Sequence, residues 1–133
     1  MRQAFADSSF YYALAVEEDR DHRLARGVID RPDLGICTTR YVLAETMSLL
    51  TKRASKLTAL QIADDVILSE ETCLLNVTRA DFADAWDLFA KYPDWDFDLV
   101  DAISFALMKR EEIETALTFD HHFAQMGFDA LPG

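Results

Sequence analysis

Two cysteines, four glycines and three prolines are few conformational devices for a chain of 133 residues. The cysteines lie in apolar, strand-like segments, Cys37 in "LGICTT" and Cys73 in "TCLLNV", without metal-ligand spacing. They are expected as two buried free thiols of a cytoplasmic protein. So little Gly and Pro leaves no long linker, and neither a low-complexity tract nor an internal repeat is present. No run of about eighteen apolar residues occurs, so no membrane span is expected. The apolar segment that starts at Gln3 is broken at Asp7, and it has neither the charged lead nor the length of a signal peptide.

Positive charge is the other scarcity. The 13 Lys and Arg stand against 24 Asp and Glu, a net charge of −11. Phosphate affinity normally comes from clustered bases, so this balance argues against a simple nucleic-acid binder. A nucleic-acid role then requires several carboxylates to gather where a divalent cation cancels them. What is abundant is apolar surface: 50% of the residues are hydrophobic, enough for a single domain over residues 1–133 to bury a core without staples.

Short apolar runs alternate with helical periodicity. Strands are expected at 3–6, 34–37, 73–77, 115–119 and 128–132, and helices at 8–16, 20–30, 40–53, 55–71, 79–92, 99–111 and 120–126. In the 40–53 helix Tyr41, Ala44, Met47 and Ser48 form an apolar stripe widened by Val42, Leu49 and Leu50. In the 55–71 helix Leu57, Leu60, Val66 and Ile67 are expected to face inward. Thr38 or Thr39 caps the first of these helices, and Thr78 caps the 79–92 helix, with Asp81 in the capping-box place. This alternation predicts βαβ units, hence an α/β fold with a central, mostly parallel sheet of four to five strands and helices on both faces. Such sheets bind ligands at the carboxyl ends of their strands, where the strand order reverses.

Several acids fall at that edge. Asp7 ends the first strand and Asp120 the fourth. Glu45 lies about two turns into its helix, beside an apolar stripe, where it cannot be a cap and where unpaired burial is costly. Asp98 and Asp101 are three apart and meet at a helix start. Asp96, Asp98 and Asp120 taken singly read as caps, and Asp101 as a first-turn dipole preference; Asp81 is assigned capping only. Convergence argues for more. Two carboxylates 4 Å apart repel by about 4 kcal/mol at an effective dielectric of 20, and a divalent cation removes that strain. All-oxygen ligation suits Mg²⁺ or Mn²⁺ over zinc, and metal with carboxylates suits phosphodiester cleavage.

Three segments, "FADSSFYYAL", "TTRYVLAETMSLL" and "DFDLVDAISFALM…ALTFDHHFAQMGF", resemble the PIN domain, and among PIN domains the bacterial ribonucleases of the VapC toxin type. The resemblance covers nearly the whole chain; the middle, 55–92, matches only in its pattern of helix and strand. It implies a three-layer fold with strand order 3-2-1-4-5 and a Mg²⁺- or Mn²⁺-dependent endoribonuclease. It implies Asp7, Glu45, Asp101 and Asp120 as the acidic site, the first three as principal metal ligands and Asp120 on a second metal or an activated water. Many relatives carry a small hydroxyl residue where this chain has Asp98, a further ligand or a cap. Ser8 or Ser9 and Thr118 would orient carboxylates or water. An RNA substrate, a homodimer and a small antitoxin partner follow from the same likeness. A PIN-like binding module without nuclease activity is the alternative. A response-regulator receiver domain would need adjacent acids after the first strand, where Ser8 and Ser9 stand.

Arg40, just past the second strand, is the preferred phosphate contact. Arg20, Arg23 and Arg26 lie among acids and read as solvated ion pairs. Lys52, Arg53 and Lys56 form a second basic patch at a helix end. His121 and His122 read as exposed or packing residues. Most aromatic side chains are expected in the core, with Trp95 and Phe97 available to a dimer or a partner peptide.

Overall fold

A computed structural model describes all 133 residues. Five strands, β1 (Arg2–Ala6), β2 (Leu34–Thr38), β3 (Thr72–Leu74), β4 (Thr115–Leu117) and β5 (Asp129–Leu131), form one sheet. Its order is β3-β2-β1-β4-β5 and every pairing is parallel, as expected. Helices α1 (Ser8–Ala15), α2 (His22–Ile29), α3 (Arg40–Arg53) and α4 (Lys56–Ile62) connect the first three strands. Helices α5 (Arg79–Lys91), α6 (Leu99–Arg110) and α7 (His122–Gln125) follow. Right-handed crossovers place α1–α4 on one face, because the chain steps from β1 to β2 to β3, and α5–α7 on the other after the jump to β4. The packing of α1 on α2, α3 and α4, and of α5 on α6, matches that division. β1, at the centre, is buried at Ala4, Phe5 and Ala6.

Several local expectations change. The inward stripe of α3 is Val42, Thr46 and Leu50, whereas Tyr41, Ala44 and Ser48 are exposed. Thr46 joins the stripe because its hydroxyl donates to the Val42 carbonyl at 2.8 Å, which satisfies it internally. The segment expected as one helix over 55–71 is α4 followed by a π-turn at Ala63–Ile67. Ala59, Ile62, Ala63 and Ile67, spaced i, i+3, i+4 and i+8, point inward, while Leu57 and Leu60 lie off that face and stay in solvent.

The third and fourth strands are shorter than 73–77 and 115–119. Phe119 and Asp120 leave the β4 ladder because side chains take their amides: Phe119 N–H donates to Ser9 Oγ and Asp120 N–H to Thr118 Oγ1, both at 2.9 Å. Cys37 is buried as expected, but Cys73, on the sheet's edge strand, is exposed. Phe97 is buried in the core and offers no surface to a partner, while Trp95 stacks at 4.5 Å on Tyr92 and keeps a solvent face. Trp86 and Phe89 of α5 are exposed too.

Asp81 does more than cap. It forms the capping box with Thr78, and Arg110 donates to both its oxygens, at 2.6 and 2.9 Å. Burial pushes this carboxyl up, and the bonds from Arg110 and Thr78 more than reverse it, leaving it below the ordinary range. The pair fastens the start of α5 to the end of α6, away from the carboxyl edge of β1 and β4. Asp81→Asn is therefore expected to destabilise the fold by about 1–3 kcal/mol in urea denaturation, a charge-assisted bond being lost. The loss should fade in acid as the native carboxylate is protonated.

Candidate active site

The neighbouring strands β1 and β4 end side by side, and Asp7 N–H donates to the Leu117 carbonyl at 3.2 Å. Asp7 is the N-cap of α1 and is buried. Its Oδ1 accepts from the Phe10 amide at 3.0 Å and the Ser9 hydroxyl at 2.8 Å. Its Oδ2 accepts from the Thr118 hydroxyl at 2.6 Å. Each carboxylate oxygen has two lone pairs, so Oδ1 is filled and Oδ2 keeps one for another partner.

Glu45 lies in the second turn of α3, half-buried, and accepts from the Ser8 hydroxyl at 2.5 Å through Oε1. Ser8 and Ser9 thus divide their work between two acids. At the start of α6, Asp98 Oδ1 accepts from the Asp101 amide at 2.8 Å and Asp101 Oδ2 accepts from the Asp98 amide at 3.1 Å. This reciprocal capping box explains why the helix starts there. Asp98 is nonetheless not only a cap, since its carboxyl lies against that of Glu45. Asp120 closes the group: an oxygen of Asp120, one of Asp101 and a ring nitrogen of His122 lie within 4.8 Å of one another.

Crowding and burial act together on the protonation of these groups. Burial pushes Asp7 up to about 6, against the bonds from Thr118, Phe10 and Ser9. Burial pushes Glu45 up to about 7, with Asp98 and Asp7 adding repulsion. Asp101 rises to about 8, again through burial first and then the charges of Asp98, Asp120 and Asp7. A pocket that resists holding all its negative charge is one a divalent cation fits, and free lone pairs on Asp7 Oδ2, Glu45 Oε2 and the second oxygen of Asp101 are hard oxygen donors for it.

Arg40 is exposed at the first position of α3, on the same edge of the sheet. His122, expected to be exposed or to pack, does neither simply: it is buried, and its ring lies between Asp96 and Asp120. Its hydrogen bond holds the Asp96 carboxyl below its ordinary value. Nothing in the local sequence marks this pairing. The one available signal was the position of "DHH" directly after a strand, on the edge where the acids gather. His121 is largely exposed.

An α/β domain with acids from four segments at the reversal point of a parallel sheet defines a class, that of domains whose acidic pocket takes a divalent cation. The chain belongs to the PIN-domain family, which it matches over residues 4–129. It is 32% identical over 124 residues to the 23S rRNA-specific endonuclease VapC20 of Mycobacterium tuberculosis, covering 93% of this chain and 94% of that one. The crystal structure of that VapC20, described as a sarcin–ricin loop cleaving toxin, superposes with a TM-score of 0.86 at 31% identity, over 94% of this chain and 95% of that one. VapBC2 from Rickettsia felis, solved with a DNA fragment from its promoter, shares the fold at a TM-score of 0.70 and 11% identity, with 96% of each chain covered.

Because the native state binds more protons than the unfolded chain between about pH 4 and 8, metal-free stability falls as pH rises through that window. The melting midpoint of EDTA-treated protein is expected to drop from pH 5 to pH 8. The rise produced by saturating Mn²⁺ should be larger at pH 8 than at pH 5, since the cation replaces protons. Calorimetry at both pH values checks this.

Proposed function

We propose that this pocket hydrolyses RNA phosphodiester bonds, making the chain a divalent-cation-dependent endoribonuclease and the toxin of a toxin–antitoxin pair. The observation that carries the reading is the convergence of Asp7, Glu45, Asp101 and Asp120 in a chain so similar to an rRNA-specific endonuclease. These four residues hold Mg²⁺ or Mn²⁺, with the Asp98 carboxylate beside them. A cation bound there would neutralise charge on the phosphate and acidify the attacking water.

The chain's own groups do the rest. Ser8 fixes Glu45, and Ser9 with Thr118 fixes Asp7, so that these carboxylates present a set orientation without reorganising. Asp120 orients the water or a second cation. Arg40, exposed on the same edge, contacts a substrate phosphate and supplies positive charge the chain otherwise lacks. Water attacks phosphorus directly, with no covalent enzyme intermediate.

The similarity to VapC20 makes an rRNA hairpin of the sarcin–ricin type the first substrate to try. The same reading includes a homodimer, a small antitoxin that restrains the enzyme, and a cytoplasmic setting that keeps both thiols free. Exposed Trp86, Phe89 and Trp95 are apolar surface such partners would use. No helix is long and apolar enough to cross a membrane.

Purified protein is expected to cleave within an RNA panel containing that hairpin when given Mg²⁺ or Mn²⁺, and not in EDTA. Asp101→Asn keeps the capping oxygen and removes the charge. It should lower cleavage by about 10³-fold, roughly 4 kcal/mol of transition-state stabilisation, while raising the metal-free melting midpoint at pH 8. Cleavage that survives both EDTA and this substitution would sink the reading. Arg40→Ala should raise KM with little change in kcat, the mark of a binding contact.

A further inference from the structure

Among the oxygen donors of the pocket stands one nitrogen. His122 is the first residue of α7, and its ring is wedged in place, with only 7% of its side chain exposed. The two ring nitrogens have different surroundings. Nε2 lies 2.5 Å from Asp96 Oδ1 in hydrogen-bonding geometry. Nδ1 lies 2.6 Å from Asp120 Oδ1 but is a buried atom without a hydrogen bond. That same Asp120 oxygen accepts from the His122 backbone amide at 2.9 Å instead.

A neutral imidazole has one ring proton. With that proton on Nε2 and donated to Asp96, Nδ1 turns a lone pair toward a carboxylate oxygen. Two lone pairs that close repel; a proton on Nδ1, which makes the contact an ion pair, removes the conflict, and so does a cation that both atoms can bind. The wider geometry agrees, since Nδ1 and one oxygen each from Asp101 and Asp120 lie within 4.8 Å of one another, a spread that ligands of a single ion can have. Asp96 supplies the remaining feature. Histidines that bind metals almost always donate their other ring N–H to a carboxylate, which fixes the tautomer and strengthens the donor.

We propose that His122 Nδ1 is a ligand of the divalent cation held at Asp101 and Asp120, with Asp96 as the positioning carboxylate behind it. The inference rests on the metal reading of the pocket and adds a nitrogen to an otherwise all-oxygen site. It assigns His121 no such role, because that ring is 70% exposed and the group it forms with His122 includes Asp96 and not Asp101 or Asp120. A nitrogen donor also tilts the choice of ion. Mg²⁺ favours oxygen ligands and retained water, whereas an imidazole suits later divalent ions better. Mn²⁺ is then preferred over Mg²⁺ more strongly than in an all-oxygen pocket.

Pulsed electron paramagnetic resonance of the intact protein loaded with Mn²⁺ tests this without reference to cleavage. The native spectrum should show hyperfine coupling to one directly bound imidazole ¹⁴N. The coupling should persist in His121→Gln and vanish in His122→Gln. Calorimetric titration should show the preference for Mn²⁺ over Mg²⁺ falling about tenfold in His122→Gln. It should also show Mn²⁺ binding weakened by about tenfold in Asp96→Asn, a change at a solvent-exposed residue. Bound Mn²⁺ with no nitrogen coupling in the native protein, or coupling that survives His122→Gln, would overturn the assignment and leave the metal pocket standing. No Mn²⁺ binding at all would overturn both.

Discussion

Thr118 and Asp7 are 111 positions apart in the chain and share a 2.6 Å hydrogen bond. That bond exists because the strand order reverses between β1 and β4, which sets the ends of the two strands side by side. Around it the rest of the pocket is arranged. Ser9 bonds both Asp7 and the Phe119 amide, and the Thr118 hydroxyl also accepts the Asp120 amide. Two loops that would otherwise diverge are fastened into one edge, and the hydroxyls that fasten them are the ones that orient the carboxylates.

The arrangement is costly to folding and useful to chemistry for the same reason. Burial and mutual repulsion push Asp7, Glu45 and Asp101 well above ordinary carboxylate values, so the ionised pocket opposes the fold. The opposition is confined to the carboxyl edge. The core beneath is dense with Phe5, Phe10, Ile103, Leu107 and Leu117, and the Asp81–Arg110 pair ties α5 to α6 without involving the edge. Three helices, α1, α3 and α6, direct their N-terminal ends toward the acids. Their dipoles offset part of the repulsion and leave the remainder as affinity for a cation.

Much of this was legible in the residues and some was not. Strands alternating with helices sufficed for a parallel sheet, and Asp7, Glu45, Asp101 and Asp120 stood out because no single capping or pairing role explained all of them. Periodicity failed where polar groups are satisfied internally or where a helix has more apolar residues than its buried face holds. Thr46 reads as a polar position but is buried on its own helix's carbonyl, and α4 buries Ala59 and Ile62 and leaves the larger Leu57 and Leu60 exposed. His122 packs against Phe97 as one of the expected alternatives, but its pairing was not legible because its partner Asp96 is 26 positions away. Side-chain pairings over such separations depend on tertiary placement, about which local composition is silent. Asp98 was legible as a cap or a further ligand, and the structure shows the capping bond and sets its carboxyl against that of Glu45.

The strand order also sets a schedule during synthesis. β1 emerges first and can pair with β2 and then β3 as they follow, because each new strand joins the outer side of the growing sheet. β4 must instead come back to the vacant flank of β1, and Thr118 and Asp120 follow Asp7 by more than a hundred residues of chain. Until then Asp7 has neither its hydroxyl partner nor its fellow acid, and Glu45 waits in a half-built edge. The nascent chain therefore holds the acids of β1 and α3 apart from those of β4 until that strand docks, and the pocket is assembled in that single step.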